Sequence, residues 1–433
     1  MLHCSQLLKE PDLKLSHPFT LHPGLLGYAR MLTTLRKGEY AELMILFFIQ
    51  AAAMAIWFVP LGPILDANGL QSIKPFAFAA NALAAFVSPL MFGAMADRHV
   101  PPAKVLRGLA TATAVATMAI SGAIQLHWPP WAVLVLIQLF SLVYAPMFSI
   151  STALVLARLV DAKKEFGPVR GMATIGWMAG ALLISLASLD TSPLTGYLGA
   201  TVWFFVAGMT YFLPELELPA SAANLTWKER LGLDALQLLK DRDTRVVFLT
   251  TTFVNVALAS FYPYAPSHLR DLGQTHTSAW MSLAQVTEIV GMFSVGWLML
   301  NWRLKSIFLF GLMFGVARFA LSALDTKTWL LAGIILHGVS YTYVFITAQI
   351  YLDQRVDAAW RTRAQALMTL MNGGVGNLIG YLGGGWWFHA CTTGHHTHWP
   401  MFWLGMSAIV GMVTVYFAVK FRDHPLTEPK LKL

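Results

Sequence analysis

Charged residues are scarce in this sequence. Asp, Glu, Lys and Arg make up only 12% of its 433 residues, whereas hydrophobic residues make up 56% and the mean hydropathy is +0.58. Soluble domains carry roughly 25% charged residues, so this composition leaves too little polar surface to cover a water-exposed globule. The composition argues against a soluble domain and predicts a polytopic membrane protein.

Cysteine is rare, and several catalytic and nucleotide-binding motifs are missing. The two cysteines, Cys4 and Cys391, fall on opposite sides of the predicted membrane arrangement, so we expect no disulfide framework. No GxxxxGK(S/T) run occurs, which argues against ATP-driven transport, and no GxSxG or HExxH motif occurs, which argues against a hydrolase. The His- and Cys-containing loop 389–398 matches no regular metal-site spacing. We therefore expect no enzyme activity, no cofactor and no metal.

Apolar runs recur along the chain, each long enough to cross about 30 Å of hydrocarbon with roughly 20 residues. The first forty residues lack the early apolar segment of a signal peptide. The runs predict an all-α membrane protein with twelve transmembrane helices, near residues 41–65, 75–95, 104–125, 130–156, 168–189, 195–214, 244–264, 278–299, 304–323, 329–352, 364–388 and 399–420.

Basic residues are distributed unevenly across this arrangement. Of the 30 Lys and Arg residues, only Lys74, Arg270 and Lys327 fall on one side, while Arg170 and Arg318 lie inside helices. Lys and Arg accumulate on the cytoplasmic side of membrane proteins, so we expect both termini in the cytoplasm. The net charge of +8 therefore indicates orientation and does not indicate a nucleic-acid partner.

A long polar interruption divides the predicted helices into two sets of six. A weak repeat supports two related halves, because VDA occurs at 160–162 and at 356–358, each time before a glycine-rich helix. Paired halves around a central site are common in secondary transporters. We predict a cytoplasmic arm, two six-helix lobes joined by a cytoplasmic linker, and a cytoplasmic tail, with bounds 1–40, 41–214, 215–243, 244–422 and 423–433.

Two sets of polar residues share a helix face inside these apolar runs. Arg170, Thr174 and Trp177 are spaced i, i+4, i+7, and Gln285 and Glu288 are spaced i, i+3. A charge inside a membrane helix costs about 2.5–3.5 kcal/mol on insertion scales and therefore indicates function. A buried carboxylate can also exchange a proton. The alternatives are an arginine that reaches the interface and a glutamate that holds helices together.

Three further residues are candidates for the same site. Gln50 and Trp57 are spaced i, i+7 in FFIQAAAMAIW, and we favour cavity lining over core packing for both. His337 lies four residues before Tyr341 and is either a second candidate for proton coupling or a core histidine.

The sequence resembles the bacterial nucleoside:proton symporter family of the major facilitator superfamily. The resemblance runs from about residue 43 to residue 422 and implies the major facilitator fold and transport by alternating access. It is carried by FIQAAAMAIWFVPLG, VYAPMFSISTALVLARL, VRGMATIGW, TWKERLGLDALQLLKD, AQVTE, ARFAL and RAQALMTLMNGG.

The resemblance also implies roles for the two polar sets. Arg170, Thr174 and Trp177 would line a nucleoside site from the N-terminal lobe, with Trp177 in place of the family's phenylalanine. Gln285 and Glu288 would bind the ribose hydroxyls and the base. Amide and carboxylate groups suit such a ligand, because ribose offers paired hydroxyl donors and a base offers donors and acceptors.

Two regions depart from the family pattern. Tyr341 and Thr342 stand where the family has an aromatic residue and a proton-coupling aspartate, and Thr342 can bind a sugar hydroxyl but cannot release a proton. Coupling then falls to Glu288, or the protein is a facilitator. Ala259 and Tyr262 replace a glutamine and an asparagine, so we expect fewer amides and more aromatic surface in the site.

We therefore predict a multi-pass transporter of the bacterial inner membrane that imports nucleosides, with the proton as the expected coupling ion. We expect a monomer surrounded by lipid. The alternatives are a major facilitator transporter or facilitator for a sugar or another polar metabolite and, from a different class, a membrane receptor or a lipid-modifying enzyme. The sequence assigns no base preference and no role to the arm or to loop 389–398.

Overall fold

The computed structural model describes residues 41–96, 101–159, 162–213, 226–394 and 396–422. Several predictions concern residues outside these ranges: the N-terminal arm with Cys4, the first part of the linker, part of the first VDA copy, His395 and the C-terminal tail.

The described residues of the N-terminal half (41–213) form eight α-helices and a short 3-10 helix, Gln71–Ile73, and prolines mark where several of the α-helices begin or break. Pro102 and Pro130 occupy the first turn of their helices, where the missing N–H has no intrahelical partner to lose. Pro60 and Pro146 each separate two helices that follow one another along one span. The helices are α1 (Ala41–Phe58), α2 (Leu61–Ala67), α3 (Lys74–Ala96), α4 (Pro102–Gln125), α5 (Pro130–Tyr144), α6 (Met147–Arg158), α7 (Ala162–Leu186) and α8 (Leu194–Met209).

The C-terminal half (residues 242–422) follows the linker helix α9 (Trp227–Arg230) and a 3-10 segment, Leu233–Lys240. Turns of π-helix at Thr342–Ile346 and Leu370–Gly376 interrupt two long helical stretches, and such wide turns are frequent at functional sites. The helices are α10 (Arg242–Ala259), α11 (Phe261–Asp271), α12 (Thr277–Met281), α13 (Leu283–Asn301), α14 (Leu304–Ser322), α15 (Lys327–Tyr341), α16 (Thr347–Arg355), α17 (Ala358–Thr369), α18 (Asn377–Ala390) and α19 (Trp399–Lys420).

The His-containing loop before α19 forms a short hairpin. Strand β1 (Thr392–Thr393) pairs antiparallel with β2 (His396–Thr397). His398 then caps α19, because its Nδ1 accepts a hydrogen bond of 3.3 Å from the backbone N–H of Met401. These contacts give His398 a local structural role.

The all-α membrane architecture is confirmed. The segments predicted at 75–95, 195–214 and 364–388 are also helical (α3, α8 and α17–α18), while the count of twelve spans stays a prediction. Among the described residues, nine helical stretches are long and apolar enough to cross a membrane: Ala41–Ala67, Pro102–Gln125, Pro130–Leu156, Glu165–Leu186, Arg242–Asp271, Thr277–Asn301, Leu304–Ser322, Lys327–Arg355 and Trp399–Lys420.

Buried apolar side chains form one large core in each half. Trp57, Phe47 and Trp203 are among the largest fully buried side chains of the N-terminal core, and Phe308 and Trp403 belong to the C-terminal core. Each core lies mainly in one half, although Tyr381 of the C-terminal half packs in the N-terminal core against Phe78.

Glycines on α7 and α15 allow the backbones of neighbouring helices to approach closely. A Cβ on Gly176 of α7 would collide with the carbonyl of Phe48 in α1. A Cβ on Gly338 of α15 would collide with the backbone of α13 at Glu288. Lipid tails provide no hydrophobic drive between helices, so such close packing supplies the attraction. The contacts hold α7 beside α1, and α13 beside α15.

Polar contacts join the two halves at one end of the bundle. The Nζ of Lys74 pairs with Asp66 at 2.6 Å, and Asp66 accepts a hydrogen bond of 2.6 Å from Ser267 Oγ of the other half. Asp190 accepts a hydrogen bond of 2.7 Å from the backbone N–H of Ser278, also across the halves. This end, which carries these five residues, is called the closed end.

Candidate functional site

A cavity of about 410 Å³ lies between the two halves. Its volume falls within the range of roughly 300–1,000 Å³ that is usual for small-molecule sites. The structure brings to its wall most of the residues predicted from the sequence, namely Gln50, Arg170, Thr174, Trp177, Tyr262, Gln285, Glu288, His337 and Tyr341.

Trp57 and Thr342 are the predicted site residues that do not line this cavity. Trp57 is 1% exposed and packs edge-on against Phe140, with ring centroids 6.4 Å apart, so it belongs to the N-terminal core. Thr342 is fully buried and donates a long hydrogen bond of 3.4 Å to the Glu288 carbonyl. Thr342 begins a π-helical turn, and its side chain packs against Gly291 behind the Glu288 wall.

Helix α7 supplies the cationic wall of the cavity. Arg170, Thr174 and Trp177 share one face, as their spacing predicts, and all three line the cavity. The guanidinium of Arg170 lies 4.6 Å from the ring centroid of Phe148. A cation over an aromatic face is stabilised by the ring quadrupole, which lowers the cost of holding the charge away from bulk water.

Two glutamines that line the cavity each have one side-chain amide atom without a hydrogen-bond partner among the described residues. Gln50 Oε1 accepts a hydrogen bond of 2.6 Å from Ser151, and its buried Nε2 has no partner among the described residues. Gln285 Nε2 donates to the Tyr262 hydroxyl at 3.3 Å, and its buried Oε1 has no partner among them either. A buried amide group without a partner costs about 1–3 kcal/mol, so both atoms favour a polar ligand.

Glu288 faces the cavity from α13, opposite Arg170. Both side chains are partly buried and line the same space, one from each half. Within the described residues no ion pair of 4.0 Å or less joins them. The guanidinium of Arg170 and the carboxyl group of Glu288 therefore share one cavity without direct contact, and a ligand can lie between them.

His337 is held by a buried arginine. Arg318 of α14 is 2% exposed and donates a hydrogen bond to His337 Nδ1. A guanidinium has only donors, so Nδ1 must act as the acceptor, and the ring is then neutral with its hydrogen on Nε2. His337 also stacks on Phe261, with ring centroids 4.5 Å apart. The arrangement makes His337 a fixed hydrogen-bond donor and argues against its prediction as a proton carrier in this conformation.

Three aromatic rings meet on the cavity wall and join the two halves. Phe58 lies 6.0 Å from Trp177 and 5.4 Å from Tyr262, and the last two rings lie 6.0 Å apart. Phe58 and Trp177 come from the N-terminal half and Tyr262 from the C-terminal half. Their faces offer stacking surface to a planar ligand.

Three asparagines of the cavity were not predicted from the sequence. Asn81, Asn255 and Asn377 come from α3, α10 and α18. Asn255 Nδ2 donates to Asn377 Oδ1 and to the Asn372 carbonyl, both at 2.7 Å. The expected loss of amides at Ala259 and Tyr262 is thus offset by amides from other positions. The sequence did contain a signal for these asparagines, because all three lie inside apolar runs, where polar residues are functional candidates.

Comparison with known proteins identifies the family. The profile described as nucleoside H⁺ symporter matches residues 38–425. The chain belongs to the nucleoside H⁺ symporter family. This membership confirms the resemblance seen in the sequence and makes the protein a transporter, not an enzyme.

Two proteins of known sequence are similar to this chain over nearly its whole length. YegT of Escherichia coli (strain K12), described as a candidate nucleoside transporter, is 30% identical over 418 residues, which cover 90% of this chain and 96% of YegT. The nucleoside permease NupG of the same organism is 23% identical over 414 residues, which cover 90% of this chain and 97% of NupG.

Solved structures of NupG confirm the fold. Two of its crystal structures match this chain with TM-scores of 0.81 and 0.79, at 22% identity, covering 89% of this chain and 100% of the matched chain. The protein therefore has the major facilitator fold.

Proposed function

We propose that this protein imports nucleosides together with protons by alternating access, and that the cavity between its halves is the substrate site. The observation that supports this most is the convergence of the α7 face with Gln285, Glu288 and Tyr341 in one cavity. The relatives NupG and YegT, whose names refer to nucleosides, support the same substrate class.

The chemistry of the wall suits a nucleoside. A base can stack on Trp177, Phe58 or Tyr262 and accept a hydrogen bond from Nε2 of His337. The ribose hydroxyls can donate to Glu288 and to the unpartnered Oε1 of Gln285. A nucleoside thus offers a partner for each kind of group that faces the cavity.

We propose Glu288 as the coupling group, because it is the carboxylate that lines the cavity among the described residues and because Arg318 holds His337 in a neutral form. A protonated Glu288 donates to the substrate, whereas a charged Glu288 is drawn toward Arg170 across the cavity. Protonation of Glu288 and binding of the substrate would each weaken the attraction between Glu288 and Arg170. Both events would therefore favour the change of access.

We also propose the orientation. If both termini are cytoplasmic in the bacterial inner membrane, the closed end faces the periplasm and the conformation is inward-facing. We propose that a single chain suffices, because the halves enclose the cavity between them.

Uptake into proteoliposomes tests the function. We expect radiolabelled uridine or adenosine to accumulate when the outside is acidic, and a hexose not to accumulate. One proton per neutral nucleoside permits at most about tenfold accumulation per pH unit, since one unit corresponds to about 1.36 kcal/mol. Nucleoside uptake that equilibrates without responding to the gradient would leave a facilitator. Hexose uptake without nucleoside uptake would refute the substrate class.

A further inference from the structure

A second cavity, of about 440 Å³, lies away from the substrate site at the edge of the C-terminal half. It is formed where the start of α10 meets the end of α19. It is lined by Val246, by the hydroxyl-bearing ring of Tyr416 and by four cationic residues. The cationic residues are Arg242, Arg245, Lys420 and Arg422.

The neighbouring carboxylates do not line this basic cavity. Asp241 Oδ1 caps α10 by accepting a hydrogen bond of 2.8 Å from the backbone N–H of Thr244. Asp243 is 2% exposed and accepts a hydrogen bond of 3.2 Å from the backbone N–H of Arg422. The second bond ties the end of α19 to the start of α10 and so builds the cavity.

The cations of the basic cavity form no ion pair with a carboxylate of the described residues. Arg245 makes one side-chain hydrogen bond, of 3.3 Å, to the Leu239 carbonyl. Like charges in one cavity repel each other, and this repulsion is reduced when an anion lies between them. The cavity therefore has the electrostatics of an anion site.

The donor set matches a phosphate group. Guanidinium groups present parallel N–H donors that fit phosphate oxygens in a bidentate manner, and lysine adds a point charge. The hydroxyl of Tyr416 is a further donor. A lipid phosphodiester keeps two unesterified oxygens and free phosphate has four, so either form can engage more than one of these cations.

The surface next to the basic cavity suits acyl chains. Met412, Val415 and Val419 of α19 are 64–68% exposed and lie within the two turns that lead to Lys420. The spacing of Met412, Val415 and Val419 places them on one helix face. Basic pockets between transmembrane helices on the cytoplasmic side bind anionic headgroups, and the predicted topology puts this cavity on that side.

We propose that this basic cavity binds a phosphate-bearing anion, and that the headgroup of an anionic phospholipid is the form met in the membrane. The site is separate from the substrate cavity and does not depend on the proposed transport function. Its occupancy stabilises the contact between α10 and α19.

Native mass spectrometry of the purified full-length chain tests this site. The probes are phosphatidylglycerol, zwitterionic phosphatidylethanolamine and inorganic phosphate. We compare the wild type with Lys420→Gln/Arg422→Gln, whose two side chains make no hydrogen bond or ion pair with the described residues, and with Arg242→Gln. The matched control is Lys228→Gln/Arg303→Gln, which removes two exposed cations on the same predicted side outside the cavity.

We expect phosphatidylglycerol to bind more tightly than phosphatidylethanolamine. Each cation near an anionic headgroup contributes about fivefold to affinity, so the double variant should bind phosphatidylglycerol about 25-fold more weakly and Arg242→Gln about fivefold more weakly. The control should change affinity by less than about twofold. Folding is monitored by the thermal unfolding midpoint without added lipid.

Inorganic phosphate separates the two sources of the anion. If phosphate alone raises the unfolding midpoint of the wild type but not of the double variant, the site binds free phosphate. If only phosphatidylglycerol does so, the ligand is a lipid. Equal binding of both lipids without any effect of phosphate would overturn the proposal, as would an equal loss in the control variant.

Discussion

The closed end is held by a carboxylate of one half that binds the backbone of the other. Asp190 is 4% exposed and accepts hydrogen bonds from Ser278 N at 2.7 Å and from Thr277 Oγ1 at 3.3 Å, both across the halves. A third bond, from Ser185 Oγ at 3.1 Å, lies within its own half. We predict that Asp190→Ala shifts the protein toward a conformation in which this end is open.

The size of the shift follows from these bonds. A hydrogen bond to a charged group contributes about 1.5–3 kcal/mol, and water replaces it in the open state only in part. The bond to Thr277 is long, so we count mainly the bond to Ser278 and expect a loss of about 2–3 kcal/mol for the closed state. This corresponds to a roughly 30- to 150-fold change in the ratio of open to closed molecules. Asp190→Asn keeps an acceptor and should shift the ratio less.

Spin labels on either side of the closed end measure this ratio. Ala67 and Thr275 are exposed and lie in different halves, so cysteines placed there report the opening as a longer distance in double electron–electron resonance. The native cysteines are first replaced by serine. We expect a long-distance population to appear in Asp190→Ala and to be smaller in Asp190→Asn.

Asp325→Asn is the matched control for this experiment. Asp325 accepts a hydrogen bond of 2.8 Å from His268 Nε2 within the C-terminal half, at the same end. Its substitution removes a carboxylate without cutting a bond between the halves. A distance distribution that is unchanged in Asp190→Ala, or changed equally in Asp325→Asn, would refute the reasoning.

Three more predictions address the site, the coupling and the topology. Arg170→Ala and Gln285→Ala should each weaken nucleoside binding in calorimetry by about tenfold or more, since each removes about 1.4 kcal/mol or more of polar contact; unchanged affinity in a well-inserted variant would contradict the site. Glu288→Gln should retain nucleoside counterflow and lose accumulation driven by a pH gradient, and undiminished accumulation would place coupling elsewhere. A cysteine at Ser72, beside Lys74, should react with an impermeant reagent in intact cells and one at Lys163 should not; the reverse pattern would overturn the orientation.

The sequence alone was sufficient to predict the class of fold and many of the residues that line the cavity. Long apolar runs require helices in lipid, because no water is there to satisfy an open backbone. Helical periodicity then places Arg170, Thr174 and Trp177 on one face, and Gln285 and Glu288 on another. Which residues share a helix face depends only on local helix geometry. It could therefore be predicted without knowing how the helices pack.

Only the tertiary structure decided which predicted faces meet the cavity. Trp57 lies two helical turns beyond Gln50 on the same face, yet Phe140 of α5 covers it, because the position of a neighbouring helix is not encoded in the period. Thr342 follows Tyr341 directly in the sequence, but a π-helical turn begins at Thr342. Its side chain packs against Gly291 of α13 and does not reach the cavity.

The asparagines and the fixed histidine required the fold as well. Asn255 meets Asn377 across 122 residues of sequence, and Arg318 reaches His337 from another helix. Periodicity determines the side of a helix from which a residue projects, whereas what lies opposite depends on how helices pack over long separations. For this reason the charged and aromatic faces could be predicted from the sequence, while their partners were decided by the assembled bundle.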